Sequence, residues 1–174
     1  MQTLIEKAKK IRILILDVDG VLTDGKLYFD LAGNEYKSFH AQDGHGIKLL
    51  QQTGVSVAVI SGRTSTSVEQ RMQQLGIQHV YQGYQDKQLA LTDIMAQLKT
   101  NLDEIAHVGD DLLDLPIMTK VGLAVAVNDA NDAVKHYADW CTQRNGGQGA
   151  VREVCDFIMQ AQGHLNAIIK SYTQ

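Results

Sequence analysis

Ile13-Leu14-Ile15-Leu16-Asp17-Val18-Asp19-Gly20-Val21 carries four apolar residues straight into two aspartates and a glycine. A short apolar run bounded by turn residues reads as a parallel strand buried on both faces. Ile105-Ala106-His107-Val108-Gly109-Asp110-Asp111, with Asp114 just beyond, repeats the arrangement. Carboxylates at the carboxyl ends of such strands project into the crevice where open α/β sheets take up ligands. Placed together they raise one another's pKa unless a cation joins them. A hard divalent ion with oxygen ligands, Mg²⁺, is the economical explanation, and it points to phosphate chemistry.

Outward from these two stretches, strand-like and helix-like segments alternate. Strands are predicted at 12–17, 55–60, 79–82, 105–108, 123–127 and 138–141, with helices at 45–53, 64–75, 86–99, 112–120, 130–136 and 149–162. That rhythm means an α/β fold, a doubly wound parallel sheet covered by helices on both faces, within one domain spanning 1–174. Pro116 sits near the start of its helix, where a missing N–H is tolerated. One segment breaks the pattern. Residues 26–30 and 35–40 flank Leu31-Ala32-Gly33-Asn34 and read as a β-hairpin, a flap over about 26–40 beside the first acidic cluster. An isolated hairpin is marginal in water, so its apolar residues need a partner, and a neighbouring subunit is the preferred one. The polar tail, 164–174, is predicted to be mobile.

Composition narrows the function classes. A chain of 174 residues with 44% apolar and 21% charged content suits one globular core. A net charge of −4 and no Lys/Arg-rich run argue against nucleic acid as a partner. The first eleven residues lack the apolar core of a signal peptide, and no segment reaches the length of a membrane span. Cys141 and Cys155 lack metal-ligand spacing and read as reduced thiols of a cytoplasmic protein.

Asp17 is the leading nucleophile, because a carboxylate can attack phosphorus and split one displacement into two easier steps. Asp19 is the candidate general acid and base, with Gly20 allowing the bend that turns both carboxylates to one pocket. Asp-Gly turns at strand ends are common on their own, so further signals matter. Ser61-Gly62-Arg63 ends a strand and opens a helix, a ready anion site. Lys87 opens a helix, where the macrodipole disfavours a cation unless it faces an anion. Asp110 is the second-strand metal ligand. Asp111 and Asp114 either assist the metal or cap and orient the following helix. His79 and His107 read as packed strand residues, His45 has no assigned role, and Gly146-Gly147-Gln148-Gly149 is weak evidence for a phosphate cradle. Arg144 and Arg152 read as surface residues, with reach toward a substrate carboxylate as the alternative.

In combination, Asp17-x-Asp19-Gly20-Val21, Ser61, Lys87 and Gly109-Asp110-Asp111-x-x-Asp114 resemble the four motifs of the haloacid dehalogenase superfamily of phosphatases. Asp24-Gly25, the hairpin, 39–46 and 146–153 extend the resemblance from about Ile11 to Gly163 and narrow it to a small branch without a cap domain. It implies a Rossmann-like sheet, Mg²⁺ dependence, a homotetramer with hairpins at its centre, and a small acidic sugar phosphate as substrate, in the making of bacterial lipopolysaccharide. It also implies Asp17, Asp19 (through its main-chain carbonyl) and Asp110 as metal ligands, and Ser61, Gly62 and Lys87 around the phosphoryl group. His40, Ala41, Gln42, Asp43, Gly44, Lys48, Arg63 and Arg71, with Asp19 and Lys87, would contact the substrate. His40, Gln42 and Lys48 depart from the Asn, Arg and Arg frequent in the branch, and a Lys cannot supply the bidentate fork of an Arg. Three other readings compete: a phosphatase for a related nine-carbon sugar acid phosphate, a receiver-like phospho-acceptor signalling domain, and a catalytically silent oligomeric binding module, against which the intact Asp17, Asp19, Lys87 and Asp110 argue. Motif order disfavours the receiver, because here the hydroxyl and the lysine precede the second acidic cluster.

Overall fold

The computed structural model describes residues 3–173, so Met1, Gln2 and Gln174, at the ends of the predicted domain and tail, lie outside the described residues. In chain order the elements are α1 (Leu4–Lys9), β1 (Ile13–Leu16), β2 (Tyr28–Phe29), β3 (Glu35–Tyr36), α2 (Ala41–Gln52), β4 (Ser56–Ser61), α3 (Thr66–Leu75) and β5 (His79–Gln82). Beyond them come α4 (Lys87–Leu98), β6 (Ile105–Gly109), α5 (Leu115–Met118), β7 (Leu123–Ala126), α6 (Asp132–Tyr137), β8 (Trp140–Cys141), α7 (Ala150–Ala161) and α8 (Leu165–Ser171). Among the described residues, six strands form one parallel sheet in the order β5-β4-β1-β6-β7-β8. The doubly wound α/β sheet read from the sequence is present.

β1 lies at the centre because all four of its residues are apolar and buried, which only a strand covered on both faces can satisfy. It pairs with β4 on one side and β6 on the other, Leu16 standing opposite Val59 and Val108. The chain reaches these neighbours by crossovers that lead to opposite sides of β1. The topological switch therefore falls at β1, and its carboxyl end opens into the crevice typical of such sheets. Asp17, the next residue, is placed there by the strand itself.

Local departures from the predicted elements have physical causes. α2 begins at Ala41 rather than 45, running through Gly44 and Gly46. At both glycines neighbours occupy the space a Cβ would need, the Arg71 guanidinium at Gly44 and Arg152 at Gly46, so the helix carries residues without one there. The predicted helix 112–120 splits into a 3₁₀ turn, Leu112–Asp114, and the single-turn α5 with Pro116 at its start. The hairpin is present, but its strands are two residues each, Tyr28 facing Tyr36 and Phe29 facing Glu35. α1 has no counterpart among the predicted helices; Thr3 and Glu6 close a capping box on it. The tail holds α8, and Tyr172 Oη lies 3.1 Å from Nε2 of the exposed His45.

Candidate active site

The crevice beyond β1, β4 and β6 is a cavity of about 300 Å³ lined by Asp17, Asp19, Gly25, Ser61, Gly62, Arg63, Gln85, Lys87, Asp110, Asp111, Leu113 and Asp114. Three elements supply its chemistry. β1 delivers Asp17, whose N–H still donates to Val108 of β6 at 3.1 Å. The chain then turns sharply, the N–H groups of Val21, Leu22 and Thr23 all donating to the Val18 carbonyl. Gly20 makes the turn possible: its φ is +95°, and a Cβ there would collide with the Asp110 carboxylate. β4 delivers Ser61, whose Oγ accepts the Arg63 N–H at 3.2 Å, and β6 delivers Asp110.

Lys87 opens α4 and is buried. Its Nζ donates to Asp17 Oδ1 and to Asp114 Oδ1, each at 2.6 Å. The lysine at an unfavourable end of the helix dipole thus faces two carboxylates. Asp114 has no free oxygen. Oδ1 takes Lys87 and, at 3.0 Å, His107 Nε2, while Oδ2 accepts the N–H of Asp110 at 3.0 Å and of Asp111 at 3.3 Å. Asp111 caps the 3₁₀ turn through the Leu112 N–H. Of the two roles left open for these residues, orienting the loop is the one their hydrogen bonds serve.

Electrostatics single out Asp17 and Asp110. Burial, then the charge of Asp114, pushes Asp17 up to about 7 despite Lys87. Burial, then the charge of Asp17, pushes Asp110 up to about 8. Burial also works against the charge of Asp114, but the hydrogen bond and charge of His107, together with Lys87, hold its carboxyl below the ordinary range. Lys87 likewise stays charged against burial because Asp17 and Asp114 outweigh it. Carboxylate oxygens of Asp17, Asp110 and Asp114 lie within 4.8 Å of one another. With both Asp114 oxygens occupied, Asp17 and Asp110 are the pair left short of positive charge, and oxygen donors of this kind fit a hard divalent cation.

The structure brings together Asp17, Asp19, Ser61, Gly62, Arg63, Lys87 and Asp110 on one cavity. His40, Ala41, Gln42, Asp43, Gly44, Lys48 and Arg71 do not line it. Asp43 is buried and accepts the Arg152 N–H at 2.8 Å, tying α2 to α7. Gln42 accepts from exposed Arg144 at 3.1 Å, on a separate groove that includes Arg152 and Trp140. Lys48 is exposed on α2. The Gly146-Gly147 turn packs its backbone against Gly20 and Thr23, so it buttresses the first acidic loop. Sequence reading missed Gln85, which donates to the Gly62 carbonyl at 2.9 Å, and nothing in its neighbourhood marks it. It also missed Lys37, which ion-pairs with Asp19, although Glu35 and Lys37 at i and i+2 share a strand face.

A parallel sheet with aspartates at the ends of β1 and β6, a hydroxyl after β4 and a lysine opening α4 defines the class as a haloacid dehalogenase-like hydrolase, and that family description matches residues 79–154. The chain is an enzyme of the phosphatase type. It is 49% identical over 162 residues to the 3-deoxy-D-manno-octulosonate 8-phosphate phosphatase of Escherichia coli strain K12, covering 93% of this chain and 86% of that protein. The crystal structure of the Yersinia pestis phosphatase of that name superposes with a TM-score of 0.92 at 45% identity, over 94% of this chain and 88% of the other. That of Moraxella catarrhalis, in complex with a magnesium ion, a phosphate ion and KDO, superposes with a TM-score of 0.95 at 39% identity, over 97% of each chain. The chain belongs to the family of 3-deoxy-D-manno-octulosonate 8-phosphate phosphatases.

Proposed function

We propose that this chain hydrolyses 3-deoxy-D-manno-octulosonate 8-phosphate to the free sugar acid and phosphate, with Mg²⁺, through an aspartyl-phosphate on Asp17. The reading rests on one observation above all: a buried Asp17 gripped at 2.6 Å by buried Lys87, beside Asp110, with Ser61 on the same wall. The Asp17 oxygen not held by Lys87 attacks phosphorus while the bond to the sugar oxygen breaks. Asp19 gives that oxygen a proton, and then takes one from the water that releases phosphate from Asp17. Ser61 Oγ, Gly62 N–H and Lys87 Nζ hold the phosphoryl oxygens. Asp17, Asp110 and the Asp19 main-chain carbonyl would hold the cation, which when bound neutralises charge on the phosphoryl group and on the two carboxylates.

Family membership supports the substrate, and Mg²⁺ is found with phosphate and KDO in the Moraxella catarrhalis relative. Arg63, exposed on the lining of the same cavity, would meet the acid end of the sugar from within the same chain. His40 to Gly44, Lys48 and Arg71 would then reach it only across a subunit boundary. A homotetramer joined through the hairpins supplies such a boundary. Leu27, Tyr28, Phe29, Leu31 and Tyr36 are exposed there, an apolar surface with reason to be covered. The two free thiols, Cys141 and Cys155, accord with a cytoplasmic enzyme.

The test is Asp17→Asn, assayed for phosphate release over a panel of sugar phosphates with and without Mg²⁺. Turnover is lost while circular dichroism and light scattering stay unchanged. Hydrolysis at the normal rate removes Asp17 from the nucleophile's role, and a preference for nine-carbon sugar acid phosphates in the wild type reassigns the substrate.

A further inference from the structure

The hairpin is an exposed element, with Tyr28, Phe29 and Tyr36 open to solvent, yet the side chain of Lys37 is 2% exposed. Lysine is almost never buried to that degree unless paired. Lys37 Nζ ion-pairs with Asp19 Oδ1 and lies 2.9 Å from Glu35 Oε1, an ion-pair contact outside hydrogen-bond alignment. The other Glu35 oxygen accepts from the Arg63 guanidinium at 2.5 Å. The segment Glu35 to Lys37 therefore bridges the loop after β1, which holds Asp19, and the loop that follows Ser61 at the end of β4, which holds Arg63. Tyr36, between Glu35 and Lys37, faces the opposite way, as strand alternation requires.

We infer that Lys37 is a positioning residue for Asp19, holding its carboxylate on the leaving-group side of the cavity and apart from the Asp17–Asp110 pair. Two aspartates only two residues apart each have a lysine of their own. Lys87 draws Asp17 inward, and Lys37 draws Asp19 toward the hairpin. Asp19 lines the cavity but does not join the cluster formed by Asp17, Asp110 and Asp114. This division separates the nucleophile from the acid.

The inference rests on the reading of Asp19 as general acid. In that step the phosphorus–oxygen bond breaks with its electron pair staying on the sugar oxygen. The oxygen takes the proton of the Asp19 carboxyl, leaving a carboxylate beside the Lys37 ammonium. A carboxyl displaced by about an ångström costs on the order of 10²-fold in rate. A nitrophenolate leaving group needs no proton, so its departure is insensitive to where Asp19 sits.

The experiment compares kcat/KM, which reports only the steps through leaving-group departure, on an alkyl sugar phosphate and on p-nitrophenyl phosphate. Lys37→Met is expected to lose roughly 30- to 100-fold on the sugar phosphate and less than about 3-fold on the aryl ester. Equal losses on both, or no loss on either, overturn the inference. If Lys37→Met does not fold by circular dichroism, Lys37→Gln is held to the same criterion. Asp19→Asn separates the two ideas. An equal loss on both substrates in that variant removes Asp19 as the acid, whatever Lys37 does. A split in Asp19→Asn without one in Lys37→Met leaves the acid standing and sinks the positioning role.

Discussion

Removing the Asp110 carboxylate should stabilise this enzyme in the absence of metal. Among the described residues nothing donates a hydrogen bond to that side chain, while the Asp110 N–H and C=O are satisfied by Asp114 and by the Asn131 N–H. Asp110→Asn therefore removes a charge without removing a partner. The rise from 3.8 to about 8 corresponds, at about 1.36 kcal/mol per tenfold, to nearly 6 kcal/mol of penalty on the charged form. The group is partly exposed, and solvent screening brings this down to roughly 3 kcal/mol. For a chain of this size that is about 6–12 °C in Tm. The sign is set by proton binding. Above about pH 4 the unfolded chain has released protons that the folded state keeps, on Asp17 up to about 7 and on Asp110 up to about 8, so stability of the metal-free wild type falls as pH rises through this range. Thermal unfolding in EDTA should thus show Asp110→Asn above wild type at pH 7.5, with the gap closing toward pH 4. Mg²⁺ should stabilise the wild type more at pH 8 than at pH 6, because its ligands must lose their protons, and should do little for the variant. A variant less stable than wild type at pH 7.5 in EDTA, or a gap independent of pH, refutes the account of a carboxylate pair lacking its cation.

Lys87→Met leaves buried Asp17 and Asp114 facing each other without their cation, and should cost about 3–5 kcal/mol in urea unfolding along with turnover; a cost below about 1 kcal/mol counts against the pairing. Deleting residues 28–37 should dissociate the assembly in light scattering, since the exposed apolar side chains of Phe29 and Leu31 go with it. An unchanged oligomer assigns the hairpin to the cavity alone.

The buried strand β1, the sheet and the acidic crevice were readable because their signals are local. A four-residue apolar run has one environment that suits it, and the aspartate that follows it must stand in the crevice at the carboxyl end of the strand. Ser61, Lys87 and Asp110 were likewise marked by their place at strand or helix ends. Partnership between distant side chains is not local. That Asp114 is consumed by Lys87, His107 and two backbone N–H groups, leaving Asp17 and Asp110 as the uncompensated pair, depends on separations of 27 and 7 residues closing to hydrogen-bond distance. The same holds for Lys37 reaching Asp19 across 18 residues, and for Arg71 and Arg152 filling the space a Cβ would take at Gly44 and Gly46. Hydrophobic pattern is a property of neighbours along the chain, so the order of residues settled the fold and the elements of the site. Charge balance and close packing are properties of neighbours in space, and only the folded molecule decided them.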